Sequence, residues 1–339
     1  MLIIGALLMA GAGLAFASTS SLVLLTIAGT IGVVSPSGNE VGPFLSIEQA
    51  ALSHVVPNRS RTTVFAWYTL AGSFATAIGS LCGGLLPSVL RRTAITPAGS
   101  YRAVVILYAA VGILLALFFT RLSPAAEVNT AGDAPLLTAK NNSFGLGCSR
   151  DIIFRLSALF ALDSFGGGFV AQSFAAYWFY LRFGVNPATL GAIFFGANVL
   201  SGVSALLASR LASRFGLVNT MVFTHLPSNI LLILVPLMPT LPLAISVLLL
   251  RFSISQMDVP TRQSYTMAVV HPEERSAAAG ITGVARTIGA SIAPVFVGLM
   301  FARPALISLP FFIAGTLKIV YDLLLYRGFV AHAPPEEAE

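Results

Sequence analysis

The chain alternates between long apolar segments and short polar loops. The apolar segments are continuous and lack the every-second-residue alternation of barrel strands. A helix needs about 20 residues to cross a bilayer, and many of the segments are that long. The pattern therefore predicts an all-α membrane protein, a polytopic helical bundle with about ten transmembrane helices. We place these helices at residues 1–17, 21–53, 62–86, 101–121, 152–181, 187–208, 216–238, 241–269, 275–301 and 304–327.

One long polar segment divides the helices into two groups. Residues 122–151 separate an N-terminal half bundle, residues 1–121, from a C-terminal bundle, residues 152–327. The first group holds four predicted helices and is incomplete beside the six of the second group. Residues 328–339 end in Pro-Pro-Glu-Glu-Ala-Glu and are predicted to form a disordered acidic tail.

An internal repeat relates the two groups. Residues 37–80 and 251–294 align without gaps at a constant offset (263 − 49 = 214), which also superposes the flanking apolar segments. The identical pairs include Gln49 with Gln263, Val55 with Val269, Val56 with Val270, and Arg61 with Arg275. A duplicated six-helix unit predicts two further helices upstream of Met1, which are missing because of a misplaced start or a true truncation.

Composition supports a membrane protein and argues against several functional classes. The 339 residues are 56% hydrophobic and 9% charged, whereas soluble domains carry roughly 25% charged residues. The net charge of +6 comes from arginines in short loops, so we predict no nucleic-acid partner. The two cysteines match neither a disulfide framework nor a zinc site, and no phosphate-binding loop is present. We expect no enzymatic activity, no cofactor and no metal.

The positive charges predict the orientation. Eleven Arg and Lys residues lie in one set of loops and five in the other, which places the linker and the C-terminus in the cytoplasm. The protein is then a multi-pass protein of the plasma or inner membrane. The larger set is Arg59, Arg61, Arg121, Lys140, Arg150, Arg155, Arg210, Arg214, Arg262, Arg275 and Arg327, and the smaller is Arg91, Arg92, Arg102, Arg182 and Arg303.

A loop motif suggests a family. Residues 210–217 read Arg-Leu-Ala-Ser-Arg-Phe-Gly-Leu. They are similar to the cytoplasmic motif G-x-L-A-D-R-x-G-R of the major facilitator superfamily, whose members have twelve helices in two halves related by an axis along the membrane normal. Ser213 replaces the usual Asp, and Leu217 replaces a basic residue. The resemblance implies a gating loop containing Arg210, Arg214 and Gly216, and we add Arg275 at the start of a later helix.

The resemblance also implies where substrate binds. The family's cavity is lined by four helices, and the three with counterparts here are 21–53, 152–181 and 241–269. They carry Glu40, Asp163 and Arg251, and ionisable residues inside a membrane are costly and indicate function. We expect Asp163 or Glu40 to take up a proton while Arg251 holds an anionic group or adjusts the carboxylate. The alternative is a permanent pair that braces the two halves.

Other polar residues are weaker candidates. Prolines and glycines interrupt two repeat-matched helices, at Pro43 and Pro260, which marks either a binding site or simple bending. Arg286 is expected in an ion pair between the halves, and the lone His225 in hydrogen-bonded packing. Lys318 and Asp322, four residues apart, should pair with each other on a peripheral helix. Further predicted site residues are Asn39, Gln172, Gln256 and Asp258.

These observations predict a secondary active transporter that moves a small organic solute by alternating access. Its predicted partners are the solute, protons and the lipid bilayer, and we expect a monomer. Proton-coupled export is the first choice and uptake of an organic anion the second. The alternative of a different class is a truncated, non-transporting scaffold or receptor on the same fold.

Overall fold

The computed structural model describes residues 2–32, 56, 60–93, 95–121, 146–147, 149–271 and 274–330, and this part of the chain is almost entirely helical. The N-terminal group contains α1 (Leu2–Ser18), α2 (Leu22–Ile31), α3 (Arg61–Arg92) and α4 (Pro97–Phe119). The C-terminal group contains α5 (Arg150–Phe169), α6 (Gln172–Phe183), α7 (Pro187–Phe215), α8 (Leu217–Leu234), α9 (Leu241–Phe252), α10 (Asp258–Ala268), α11 (Arg275–Phe301) and α12 (Leu309–Phe329).

The helices follow the predicted apolar segments. Seven stretches of the described residues are long and apolar enough to cross a membrane, and three shorter apolar helices coincide with α1, α2 and α9. Two predicted single helices are each divided in the structure. Residues 152–181 form α5 and α6 with a break at Val170 and Ala171, and residues 241–269 form α9 and α10 with turns at 253–257.

Local chemistry explains both breaks. The first follows three successive glycines, residues 166–168, which have the lowest helix propensity after proline. The second precedes Pro260, which has no N–H for a helical bond and would crowd the carbonyl of Gln256 if the helix were continuous. As the third residue of a new helix, Pro260 loses nothing, since the N–H groups of a first turn have no intrahelical partner.

Small residues allow close contact between the two groups of helices. α3 of the N-terminal group packs along α7 of the C-terminal group. A Cβ built on Gly84 of α3 would lie 2.9 Å from the Cα of Gly191 on α7, so neither helix can carry a side chain here without moving apart. Close packing of small residues is a common way for membrane helices to associate, because the hydrophobic effect does not act between helices within the bilayer.

The C-terminal group has two apolar cores, one at each end. One core contains Trp178, Phe179 and Phe311, and the other contains Phe160, Met221 and Tyr321. On α5, α8 and α12 the two cores are separated by about two to three helical turns. These intervals contain Asp163, His225 and Lys318.

Candidate functional site

Six ionisable side chains from four helices meet between the two apolar cores. We call them the charge cluster: Asp163 on α5, His225 on α8, Asp258 and Arg262 on α10, and Lys318 and Asp322 on α12. All six are buried, from 0% exposure at Asp322 to 8% at Lys318. Burial of this many charges in the interior of a membrane bundle is costly unless each finds a partner.

Asp163 lies at the centre and joins three helices. Its Oδ1 accepts a hydrogen bond from Nζ of Lys318 at 2.6 Å, and its Oδ2 accepts one from Nη1 of Arg262 at 3.0 Å. The Nε2 of His225 lies 3.9 Å from Oδ1. Both carboxylate oxygens are therefore held by cations that come from α12 and α10.

Asp322 is the second carboxylate, and its partners are on α8. Its Oδ1 is 2.7 Å from Nδ1 of His225, and its Oδ2 accepts a hydrogen bond of 2.9 Å from Nδ2 of Asn229. Because an ionised carboxylate only accepts, Nδ1 of His225 carries the proton in this contact. The other ring nitrogen, Nε2, is then the position at which His225 gains or loses a proton, and it faces Asp163.

Asp258 is the third carboxylate and shares a cation with Asp163. Its Oδ2 lies 3.4 Å from Nη1 of Arg262, the same nitrogen that binds Asp163. It is the first residue of α10, where a negative charge suits the helix dipole. The guanidinium of Arg262 also lies over the ring of Phe160, 5.5 Å from its centroid.

The cluster is not balanced by its permanent charges. Three carboxylates face two cations, Arg262 and Lys318, so its net charge is −1 when His225 is neutral and 0 when His225 is protonated. A proton on Nε2 of His225 would replace a lone pair near Asp163 with a donor. Counted without the neighbouring Arg251, the cluster can therefore hold one proton without leaving an uncompensated charge.

The predicted site residues are only partly brought together. Asp163 and Asp258 lie in the charge cluster. Arg251, on the last turn of α9, is half-buried and within electrostatic reach of both carboxylates. Gln256 is half-buried in the break between α9 and α10. Glu40 and Asn39 lie outside the described residues, so their roles stay predictions.

Gln172 links the two groups of helices. It is the first residue of α6, directly after the break in the predicted helix. Its Nε2 donates to Oγ of Ser80 on α3 at 2.8 Å, and its Oε1 accepts from Nδ2 of Asn198 on α7 at 3.0 Å. A second contact crosses between the groups near the start of α3, where Oγ1 of Thr62 donates to Oγ of Ser264 at 2.7 Å.

The predicted gating residues lie at helix ends. Gly216 is the single residue that joins α7 to α8, and its φ of 83° is a conformation that favours glycine. Arg210 and Arg214 are exposed on the last turns of α7. Arg275 donates from Nε to the carbonyl of Met267 at 3.0 Å and so caps the end of α10. Their part in gating stays a prediction.

Two other charged residues, Glu274 and Arg286, lie outside the charge cluster. Oε1 and Oε2 of Glu274 accept hydrogen bonds from the backbone N–H groups of Gly147 and Ser149, at 2.6 and 3.1 Å, where α5 begins. Arg286 is half-buried on α11, which packs mainly against α5 of its own group. The predicted role of Arg286 between the halves stays a prediction.

Four members of the cluster were not among the predicted site residues. Arg262 was assigned to a cytoplasmic loop, whereas it is buried in α10 and binds Asp163. Lys318 and Asp322 do not pair with each other in the described structure, because each binds a residue of another helix. His225 is hydrogen-bonded, as predicted, but its partner at 2.7 Å is the carboxylate of Asp322, and Asp163 lies 3.9 Å away. The available signal was that each is an ionisable residue within or beside an apolar segment.

A shallow cleft of about 530 Å³ lies away from the charge cluster, between α6 and α11. Its lining is mostly apolar and includes Phe174, Tyr177 and Phe301. The cluster itself is closed to solvent in this structure. A solute could reach it only after neighbouring helices move, which is the behaviour expected of a site that opens alternately to two sides.

Comparison with known proteins gives a consistent result. The sequence model of the Major Facilitator Superfamily matches residues 1–294. A membrane protein of Saccharomyces cerevisiae, described as uncharacterized, is 29% identical over 357 residues, which cover 97% of this chain and 79% of the yeast protein.

Solved structures of transporters share the fold. The proton:xylose symporter XylE bound to 6-bromo-6-deoxy-D-glucose aligns with 96% of this chain and 79% of its own, at 14% identity and a TM-score of 0.65. A bacterial homolog of the human lysosomal transporter Spinster, in an inward-facing and unoccupied conformation, aligns with 96% of this chain and 80% of its own, at 17% identity and a TM-score of 0.62.

Proposed function

The chain belongs to the major facilitator superfamily, and on that premise we propose that it is a secondary active transporter that couples a small organic solute to protons. The all-α, multi-pass membrane fold predicted from the sequence is confirmed by the family match and by the transporter structures that share it. Family and fold indicate a transporter rather than an enzyme.

The charge cluster is the observation that carries the proposal. Replacing a buried ion pair with apolar residues of similar volume is often neutral or stabilising, so folding alone does not require these charges. Ionisable residues inside membrane bundles typically mark ion or substrate pathways. Counted without Arg251, the cluster is one positive charge short of balance, and His225 is the member that can bind or release one proton.

The position of the cluster suits alternating access. It lies beside the helix α10, which is separated from α9 by the turns at 253–257. Discontinuous membrane helices are found at the binding sites of secondary transporters. In the proposal, protonation of His225 changes its contact with Asp163, and α10 responds because Arg262 is bound to the same carboxylate.

The direction of transport is a finer part of the proposal. Export against protons, which the sequence analysis ranks first, and uptake with protons use the same groups. The charge balance of the cluster with Arg251 included favours movement of solute and proton in the same direction, which fits uptake of an organic anion, the second choice. We further propose that the protein acts as a monomer in the plasma or inner membrane. The linker and the C-terminus lie in the cytoplasm in this proposal, and labelling of cysteines introduced into the linker tests this topology.

The test is transport by purified full-length protein in liposomes containing a pH-sensitive dye. We expect a pH gradient to drive accumulation of at least one solute from a panel of sugars, amino acids, organic acids and amines above that in empty vesicles. His225→Gln retains a donor for Asp322 but cannot gain a proton, so it should permit solute exchange without proton-driven accumulation. His271→Gln, at an exposed loop residue, is the matched control and should accumulate solute normally.

Two results would contradict the proposal. Absence of flux for every solute of the panel would favour a non-transporting scaffold or receptor on the same fold. Full proton-driven accumulation by His225→Gln would remove the charge cluster from the coupling step.

A further inference from the structure

Among the described residues, the half-buried Arg251 has no acidic partner, whereas the buried cations Arg262 and Lys318 both bind Asp163. No carboxylate of the described residues lies within ion-pair distance of Arg251, and its Nε is buried without a hydrogen-bond acceptor. From this geometry we propose that Arg251 binds an anionic group of the substrate, so that the transported solute is an organic anion. The inference rests on the proposed transport function and deepens it by naming the substrate class.

The nearest carboxylates are already engaged. Arg251 is within electrostatic reach of Asp163 and Asp258. Asp163 is bonded by Lys318 at 2.6 Å and by Arg262 at 3.0 Å, and Asp258 lies 3.4 Å from Arg262. These carboxylates attract Arg251 from a distance and do not satisfy its donors. A guanidinium that is half-buried and lacks a bonded acceptor is suited to bind an anion that arrives from outside.

The local structure orients the guanidinium. Its central carbon lies 4.9 Å from the centroid of the Phe252 ring. Such a contact occupies one face of the planar group and leaves its edges, which carry the N–H donors, for an oxygen ligand. A carboxylate or phosphate can accept two parallel hydrogen bonds from such an edge, which a neutral solute matches poorly.

The break after α9 contributes a second unsatisfied polar group. The backbone N–H groups of Ile254 and Ser255 both bond to the carbonyl of Arg251, at 3.2 and 3.0 Å, so the chain turns back on this residue. Ser255 is buried, and its Oγ has no hydrogen-bond partner within the described structure. Arg251 and Ser255 thus lie one turn apart, each with a buried polar atom that a bound ligand could satisfy.

Charge balance couples the anion to one proton. With Arg251 included, three cations (Arg251, Arg262 and Lys318) balance the three carboxylates of the charge cluster when His225 is neutral. A bound monoanion adds one negative charge, and a proton on His225 removes it. The empty and the doubly loaded states are both balanced, whereas anion alone or proton alone leaves one uncompensated buried charge, which is strongly unfavourable.

The surroundings of His225 support this count. The charged or titratable groups that face it are Asp322, Lys318 and Tyr321 from α12, Asp163 from α5, and Asp258 with Arg262 from α10. Asp322 lies 2.7 Å from Nδ1, and the Tyr321 ring centroid lies 5.9 Å from that of His225. The predicted stoichiometry is one proton per monoanion, and uptake of the pair is electrically neutral.

The experiment compares anions with neutral analogues of the same shape in liposomes containing the full-length protein. The probes are radiolabelled acetate, lactate and benzoate, each beside its amide, with internal pH followed by a dye. We expect uptake of at least one carboxylate above that in empty vesicles, with one proton per molecule and unchanged when the membrane potential is clamped with potassium and valinomycin, and amide uptake no greater than in empty vesicles.

Variants of Arg251 complete the test. Arg251→Gln should raise the apparent KM for the transported carboxylate about 10- to 150-fold, as expected for loss of hydrogen bonds between charged groups. Arg251→Lys retains the charge, so it should remain electrically neutral in transport with an intermediate KM. Arg303→Gln, at an exposed loop residue, should behave as the unmodified protein. Size-exclusion profiles identify variants that fail to fold.

The outcomes separate this inference from the proposed function. Proton-driven uptake of a neutral solute, without uptake of any carboxylate and without an effect of Arg251→Gln, would overturn the anion site and leave the transporter proposal in place. Uptake of a carboxylate with a KM unaffected by Arg251→Gln would also overturn it. Absence of all transport would remove both.

Discussion

Substitution of Asp163 by Asn is the sharpest test of how the charge cluster is held together. The two side chains have nearly the same volume, so no cavity forms; the change removes the charge and replaces one acceptor oxygen with an NH2 donor. Arg262 keeps Asp258 at 3.4 Å, but Lys318 loses its only ion pair among the described residues. An orphaned buried charge typically costs about 3–5 kcal/mol. At roughly 2 °C per kcal/mol for a chain of this size, the melting temperature should fall by about 6–10 °C.

A second substitution, at Lys318, should raise the melting temperature that Asp163→Asn lowers. Lys318→Met in the Asp163→Asn background removes the orphaned ammonium, so the double variant should melt at a higher temperature than Asp163→Asn alone. The measurement is thermal unfolding of purified protein in detergent, followed by tryptophan fluorescence, with the fully buried Trp178 reporting on the C-terminal bundle. Asp151→Asn is the matched control, since Asp151 is an exposed acid on the same helix.

Two results would refute this reasoning. If Asp163→Asn and Asp151→Asn melted within about 2 °C of each other, the charges around Asp163 would not be buried as the structure places them. If the double variant melted below Asp163→Asn, Lys318 and Asp163 would not be each other's partners.

Three more substitutions test how the helices are packed and joined. Gly84→Ala should lower the melting temperature because its Cβ would meet the facing helix α7. Gly83→Ala is the control and should melt as the unmodified protein, because its Cβ would enter open space. Equal melting temperatures of the two variants would contradict the contact between α3 and α7. Glu274→Ala should cost about 1–3 kcal/mol by releasing two N–H groups at the start of α5, and should speed tryptic cleavage of the linker. Gly216→Ala should cost about 1–3 kcal/mol because of its φ of 83°; an unchanged melting temperature would show that the turn rearranges.

Hydropathy was sufficient to identify the class of protein and the approximate position of each described helix. It works because a bilayer allows few backbone conformations. Hydropathy alone could not place the break between α9 and α10, because residues 241–269 read as one long apolar segment, and only Pro260 indicated an interruption. Since that segment is interrupted, Arg262 lies in the short helix α10 and is buried in the charge cluster. It does not lie in the cytoplasmic loop where the sequence predicts it.

The partners of the charged residues depend on tertiary packing. Lys318 and Asp322 have the spacing of an intrahelical pair, and that spacing also allows both to face other helices. Only the packing of α12 against α5 and α8 decides between these arrangements. Asp163 and Asp258 were identified from the sequence because a lone carboxylate in an apolar segment is already unusual.

The helix α10 connects the charge cluster to the contact between the two groups of helices. It spans eleven residues, and the turns at 253–257 separate it from α9. Arg262 on this helix binds Asp163, and two residues later Ser264 accepts a hydrogen bond of 2.7 Å from Thr62 on α3. In the proposed transporter, a change of charge at His225 alters the attraction between Asp163 and Arg262, and α10 carries the change to Ser264. Tyr265 of α10 lies in the apolar core around Phe160 and Tyr321, so this movement also shifts one side chain of that core. The helix α10 is thus the element through which a proton bound in one group of helices would bias its contact with the other in the proposed transporter.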